Sequence, residues 1–416
     1  MEKKLYFIAV VSITSLLLSL MGCKPNPRED NEDTVVEEET IALTANPYVK
    51  LYVENSGSMF GYVASSTEFK DVIRKIIHDK DFDYIDMGFN FINGDGEHAS
   101  KHFKDKDEFE TSLSKSGMKV GNTKTSDISG MLNTMLTGAN GDTITILVSD
   151  GIYDIGSNNY DALRSKGDKT RETVRRRLYE NKGVQTMVVK MQSHFDGSYC
   201  YATKSGSLYV NDKRPYYIWI FGNGELLNEY FPDDKVSMWS GYNNHARLQV
   251  TGNSHIPAII SSDNSIGKYR PSPKGELVME GCKALHGAFA FSIIVDYETL
   301  AYSDDYLMDI NNYICDNEFR ITNICKASEE SITAAGVTGY KKPFIITLET
   351  NGTPRGKLNI ELKNNKPAWI DITNADNENQ IDTEHTFGFS TLMEGIIGAY
   401  TDISVSCPAT FSIILK

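Results

Sequence analysis

The sequence predicts an α/β protein: a doubly wound, mainly parallel sheet over residues 47–235, followed by a β-rich, sandwich-like region over 236–416. Three observations predict it. Apolar, β-branched runs at 48–53 and 143–148 each end in a polar loop, with helical-period stripes between them. Those loops leave one edge of one sheet, the edge where open α/β sheets bind ligands. After about Pro232 the pattern changes to short strand-like runs separated by Gly, Asn, Asp and Pro, which suits an antiparallel sandwich.

The chain opens on Lys3 and Lys4, an almost unbroken apolar run over 5–20, and Leu20-Met21-Gly22-Cys23. The run is shorter than the roughly 20 residues of a spanning helix. This order resembles the leader and lipobox of bacterial lipoproteins, which implies a signal peptide over 1–22 and a lipidated Cys23. It also implies a mature chain held to the membrane by lipid. Residues 23–46 form an acidic tether, with Glu29, Asp30, Glu32, Asp33 and Glu37 to Glu39, and with Pro25 and Pro27 against regular structure. An acidic stretch behind the Cys resembles a surface-export signal of outer-membrane lipoproteins. The expected location is therefore the cell envelope, at the outer membrane and facing outward.

At 416 residues the chain exceeds one ordinary domain. Hydrophobic residues at 40% and charged residues at 24% exclude a wholly disordered chain, a fibre and a small disulfide module. A net charge of -14 argues against nucleic acid as a partner. Cys200, Cys282, Cys315, Cys325 and Cys407 lack CxxC spacing and are expected to be buried structural thiols, Cys315 and Cys325 being the nearest pair.

Residues 48–53 read as a strand running into Glu54-Asn55-Ser56-Gly57-Ser58. Ser65 and Glu68 are spaced as a capping box before a stripe of Phe69, Val72, Ile73, Ile76 and Ile77. Residues 84–92 suggest a second strand. His98 and His102, four apart, read as solvated loop residues rather than ligands. Thr125-Ser126-Asp127 opens a helix with Ile128, Met131, Leu132, Met135 and Leu136, and strand 143–148 ends in Ser149-Asp150-Gly151. A basic helix over 170–181 stops at Gly183 as its cap, and strands follow over 184–192 and 216–221. Residues 193–214 form an inserted hairpin that lengthens the sheet or offers a recognition surface.

In order and spacing, Glu54-x-Ser56-x-Ser58, Ser126 or Thr125, and Asp150-Gly151 resemble the von Willebrand factor A-type family and its metal-ion-dependent adhesion site. The resemblance covers residues 47–235. It implies a Rossmann-type fold and a divalent cation, Mg²⁺ or alternatively Mn²⁺ or Ca²⁺, held by Ser56, Ser58, Ser126 or Thr125, and Asp150. Glu54 would act in the first or second shell. Hard ions of this kind accept neutral hydroxyl oxygens. An open coordination position would then take a carboxylate from a protein partner. Glu54 stands where the family has Asp, one methylene longer, and Ser149 where it often has Thr.

In the C-terminal half, strand candidates fall at 247–250, 255–260, 288–295, 344–348, 358–362, 369–372 and 411–415. Phe389, Leu392, Met393, Ile396, Ile397 and Tyr400 form a core-facing helical stripe. Neither a nucleophile elbow nor a Walker loop is present, so a binding protein is expected rather than an enzyme. A metal-free scaffold and a metal-assisted hydrolase are the alternatives.

Overall fold

Val49, Leu51 and Val53 point to one face of a strand, β1 (Tyr48–Glu54), and are fully buried against the helix that follows it. The description rests on a computed structural model. It covers residues 47–416 except 156–159, 253–254, 274–275, 317, 381 and 406; the leader, Cys23 and the acidic tether lie outside the described residues. After a 3-10 turn (Gly57–Val63) come α1 (Glu68–Ile77), β2 (Asp86–Ile92), β3 (Ala99–Phe103), α2 (Lys106–Ser112), α3 (Ile128–Gly138) and β4 (Thr143–Ser149). The chain continues through α4 (Tyr160–Glu180), β5 (Val184–Cys200), β6 (Ser207–Asn223), α5 (Gly224–Tyr230), α6 (Asp233–Ser237) and β7 (Tyr242–Leu248).

These strands make one sheet in the order β3-β2-β1-β4-β6-β5-β7. Only β1 with β2 and β1 with β4 are parallel; the other four pairings are antiparallel. The sheet is therefore mixed, not mainly parallel. Buried on both faces, β6 carries the continuous apolar run of a parallel strand, and periodicity alone does not set its direction. The inserted hairpin does lengthen the sheet: β5 and β6 pair without interruption from Val184↔Asn223 to Cys200↔Ser207.

One face of the sheet packs on α1, α2 and α5, and the other on α3 and α4. The cap of α1 differs from the expected box. Thr67 is the N-cap and accepts from Lys70 N, while Glu68 accepts from His194 N at 2.9 Å and Ser193 Oγ at 3.3 Å in β5. His98 is an exposed bend residue, as expected, whereas His102 lies in edge strand β3, not a loop, and its Nδ1 meets Asn90 Oδ1 at 2.5 Å. Described helix α4 reaches ten residues further back than Thr170, whose buried hydroxyl meets Ser129 and Tyr153. Gly183 does not take a left-handed conformation; the Asn181 side chain accepts its N–H instead.

The remaining elements are β8 (Ala258–Ile266), β9 (Lys268–Pro271), β10 (Val278–Lys283), β11 (Ala288–Asp296), α7 (Asp304–Met308), β12 (Tyr313–Cys315), β13 (Phe319–Lys326) and α8 (Glu329–Ala334). They continue with β14 (Pro343–Asn351), β15 (Gly356–Leu362), α9 (Ala368–Thr373), β16 (Asn374–Ala375), β17 (Thr386–Phe387), α10 (Phe389–Ile403) and β18 (Ala409–Leu415). Two sheets, β12-β15-β18-β10-β9 and β13-β14-β11-β8, share one apolar core, so this region is β-rich as expected. Residues 369–372 are helical instead of a strand. Pro367 precedes the helix, and Ile370 is buried while Ile372 is 70% exposed, as on one side of a helix. Of the free thiols Cys200, Cys282, Cys315 and Cys325, only Cys282 is buried, which corrects the expectation of buried structural thiols. Among the described residues no helix is long and apolar enough to cross a membrane.

The chain crosses the expected boundary at 235/236 twice. Residues 242–248 add β7 to the first sheet, and α10 returns to pack on α4 and on that sheet's second face. Phe389 is fully buried and stacks on Tyr217, with ring centroids 3.9 Å apart. Gly167 and Gly395 let the two helices approach closely, since a Cβ at Gly395 would come within 2.8 Å of the Gly167 carbonyl oxygen. The expected cost of Phe389→Ala is about 3–5 kcal/mol of stability, by loss of transfer energy and creation of a cavity. Chemical denaturation measures it, and a change under 1 kcal/mol would remove α10 from the first core.

Candidate functional site

Parallel pairing of β1 and β4, ending at Val53↔Val148, brings Glu54 and the Ser149-Asp150 turn to one sheet edge. Beside them β2 ends at Ile92, whose carbonyl accepts from Asn55 N at 3.0 Å. The third loop is tied down from both sides. Gly94 N donates to Thr125 O and Asp127 N to Gly94 O, both at 3.0 Å, while Gly57 N donates to Thr123 O at 2.8 Å. Gly130 opens room for this crossing, because a Cβ there would fall on the Asp95 carbonyl oxygen.

Two asparagines do the remaining fastening. Asn55 Nδ2 donates to Met118 O at 2.8 Å and Val120 O at 2.9 Å, and Asn93 Nδ2 to Val120 O at 2.7 Å. Sequence reasoning passed over both. Their one signal is position, each being the first or second polar residue past a strand end.

The result is a cleft of about 370 Å³ whose lining includes Glu54, Ser56, Ser58, Thr125, Ser126 and Asp150. All six sequence-selected residues thus meet. Glu54 and Asp150 form its floor, 1% and 3% exposed. Ser56 Oγ and Ser58 Oγ lie 3.1 Å apart. The two candidates of the third loop differ. Thr125 is exposed and its hydroxyl accepts from Asn122 Nδ2 at 2.7 Å, whereas Ser126 is half-buried and its Oγ has no hydrogen-bond partner. His98 and His102 do not line the cleft.

Charge on this floor is poorly compensated at close range. Burial, and then the negative Asp150, push the Glu54 carboxyl up to about 7, against the opposing pull of the Ser149 and Ser56 hydroxyls. Burial also raises Asp150, offset by Ser58, by the Ile152 N–H at 3.1 Å and by the charge of Arg214. Among the described residues neither acid forms an ion pair, and Glu54 Oε2 is buried without any partner. No comparison with family models, curated proteins or solved structures finds a match.

The donor set suits a hard divalent ion. It consists of two carboxylates and three hydroxyls, with orphaned atoms, Glu54 Oε2 and Ser126 Oγ, on two of its loops. Among the described residues no group of three or more His, Cys, Asp or Glu is placed to hold a metal ion, in this cleft or elsewhere, so any ion held here would depend on the hydroxyls. The rim adds residues that the sequence did not announce: Cys200, Tyr201 and Ala202 at the end of the β5 arm. Glu378 fixes that arm by accepting from Ala202 N at 2.5 Å, Thr203 N at 3.2 Å and Tyr199 OH at 3.2 Å. Some 175 residues separate these partners, and no local pattern links them.

Two predictions follow from burial and packing here. In the unfolded chain Glu54 ionises near the usual 4.5, and in the folded chain near 7. The folded state holds the extra proton between those values, so the ion-free protein is expected to lose stability as pH rises from about 4.5 to about 7. Glu54→Gln is expected to remove most of that slope in thermal melts and to raise the melting temperature at neutral pH; an unaltered slope would assign it to other groups. Separately, Gly130→Ala is expected to cost about 1–3 kcal/mol by overpacking against Asp95, read by urea denaturation. A neutral result would show that the third loop can shift freely.

Proposed function

We propose that this protein is a lipid-anchored binding protein of the cell envelope that engages a partner carboxylate through a divalent cation. Ser56, Ser58 and Ser126 would give hydroxyl oxygens, with Asp150 as the anchoring carboxylate and Glu54 completing the set directly or through water. The observation that carries this reading is the pair of orphaned oxygens, Glu54 Oε2 and Ser126 Oγ, beside two buried acids that lack a close cation. Few anionic ligands leave a bound ion partly positive, and the open cleft lets a partner's acid reach it. The resemblance to the A-type adhesion site supports the same reading, as the leader and Cys23 support attachment by lipid.

A metal-free scaffold is the second reading, and one observation favours it. A Glu54 that ionises only near 7 is able to keep a proton beside an ionised Asp150, and such a pair stands without a cation. Calorimetry separates the two. The chain lacking residues 1–23 is expected to bind Mg²⁺ or Mn²⁺ with measurable heat, and Ser56→Ala and Asp150→Ala to weaken this at least tenfold. Equal and negligible heats for all three proteins would leave only the scaffold.

A further inference from the structure

Arg214 lies in β6, just ahead of the segment that pairs with β4 as Ser149↔Tyr217, and so beneath the turn that carries Asp150. It is 1% exposed. Its guanidinium stacks 4.8 Å from the Tyr199 ring centroid and donates from Nη1 to Asp382 O at 3.0 Å. Nη2 is buried with no hydrogen-bond partner, and among the described residues no carboxylate lies within ion-pair distance.

An arginine does not shed its proton, so a fully buried guanidinium needs negative charge nearby. The Tyr199 face and one backbone carbonyl give partial compensation. The remaining compensation falls to the cleft floor, because the β4–β6 register sets Arg214 next to the turn that carries Asp150, and its positive charge opposes the rise that burial gives the Asp150 carboxyl. Neither Arg214 nor its side chain lines the cleft. Its charge therefore acts on the floor through the protein and not from the cleft lining.

We propose that Arg214 is the internal counter-ion of the Glu54/Asp150 floor: it holds the acidic loops together when the cleft is empty and repels a cation that enters. This makes it a positioning residue that keeps cation binding weak and reversible. The inference rests on the metal reading for its second half only; the first half concerns the empty protein.

A merely structural arginine and a counter-ion predict opposite signs. Arg214→Met is expected to tighten Mg²⁺ binding by about three- to tenfold in calorimetry, the order expected from removing one unit charge screened by intervening protein. Arg214→Lys, which keeps the charge, is expected to stay near the wild-type value. In ion-free thermal melts, Arg214→Met and Asp150→Asn are each expected to lower the melting temperature. Combining them is expected to cost less than the sum of the two. Unchanged or weaker Mg²⁺ binding by folded Arg214→Met, or strictly additive melting losses, overturns the proposal. Should Arg214→Met fail to fold, the double variant decides: recovery of folded protein supports the counter-ion, and continued failure refutes it. Should the wild-type chain bind no Mg²⁺, the metal reading falls, and the melting coupling alone decides the role of Arg214.

Discussion

Burying two carboxylates side by side is the constraint around which this molecule is arranged. Glu54 and Asp150 end adjacent parallel strands, so the backbone pairing that builds the sheet also forces two negative groups into one dry pocket. Such an arrangement is unfavourable by itself, since each charge lacks water and repels its neighbour. The surrounding structure offsets it with the hydroxyls of Ser56, Ser58 and Ser149, the Ile152 N–H and the charge of Arg214. Asn55 and Asn93 then stop the loops from relaxing outward, because each spends its side-chain donors on carbonyls of the neighbouring segment.

Distant parts of the chain are recruited to hold that pocket together. The long β5–β6 arm brings Cys200 to Ala202 over the rim, and Glu378 holds the end of the arm in place. The 3-10 turn after Ser58 is pressed onto the same arm at Gly61, where a Cβ would strike the Phe195 ring. Helix α10 fills the second face of the sheet behind Asp150, with Phe389 on Tyr217. The β-rich region has a core of its own, yet the chain leaves it to supply α9, α10 and Glu378 before returning as β18. Cooperation between the regions is therefore built into the connectivity.

The strand–loop–helix units were legible because their information is local: in the first, a β-branched run, a hydroxyl-rich turn and a 3.6-residue stripe all lie between Tyr48 and Ile77. The convergence of Glu54, Ser56, Ser58, Ser126 and Asp150 followed from that. Strand direction did not, since a buried strand such as β6 has the same composition whether its neighbour runs with it or against it. Choosing Ser126 over Thr125 needed Asn122, which occupies the threonine hydroxyl. Thr67 was hidden behind Ser65 because Glu68 has a better partner in β5 than its own helix end. Arg214 was least legible. Between Lys213 and Pro215 in a polar hairpin it looks solvated, and only the three-dimensional fold buries it.

Charge counting ties Glu54 to Arg214. One guanidinium balances one carboxylate, and Asp150 is the acid that feels it. Burial raises both carboxyls, and Glu54 is pushed up further by the negative charge of its neighbour, to about 7. A surplus buried charge has two remedies, a proton or a cation, and both satisfy the same orphaned oxygen. Under the proposed metal reading, proton and ion would compete for one place, and Glu would reach one methylene further toward either than Asp. On this view Glu54 is no defective copy of an aspartate ligand. It would be the group through which an empty cleft stays neutral and a filled one gains the positive charge that a partner's acid requires.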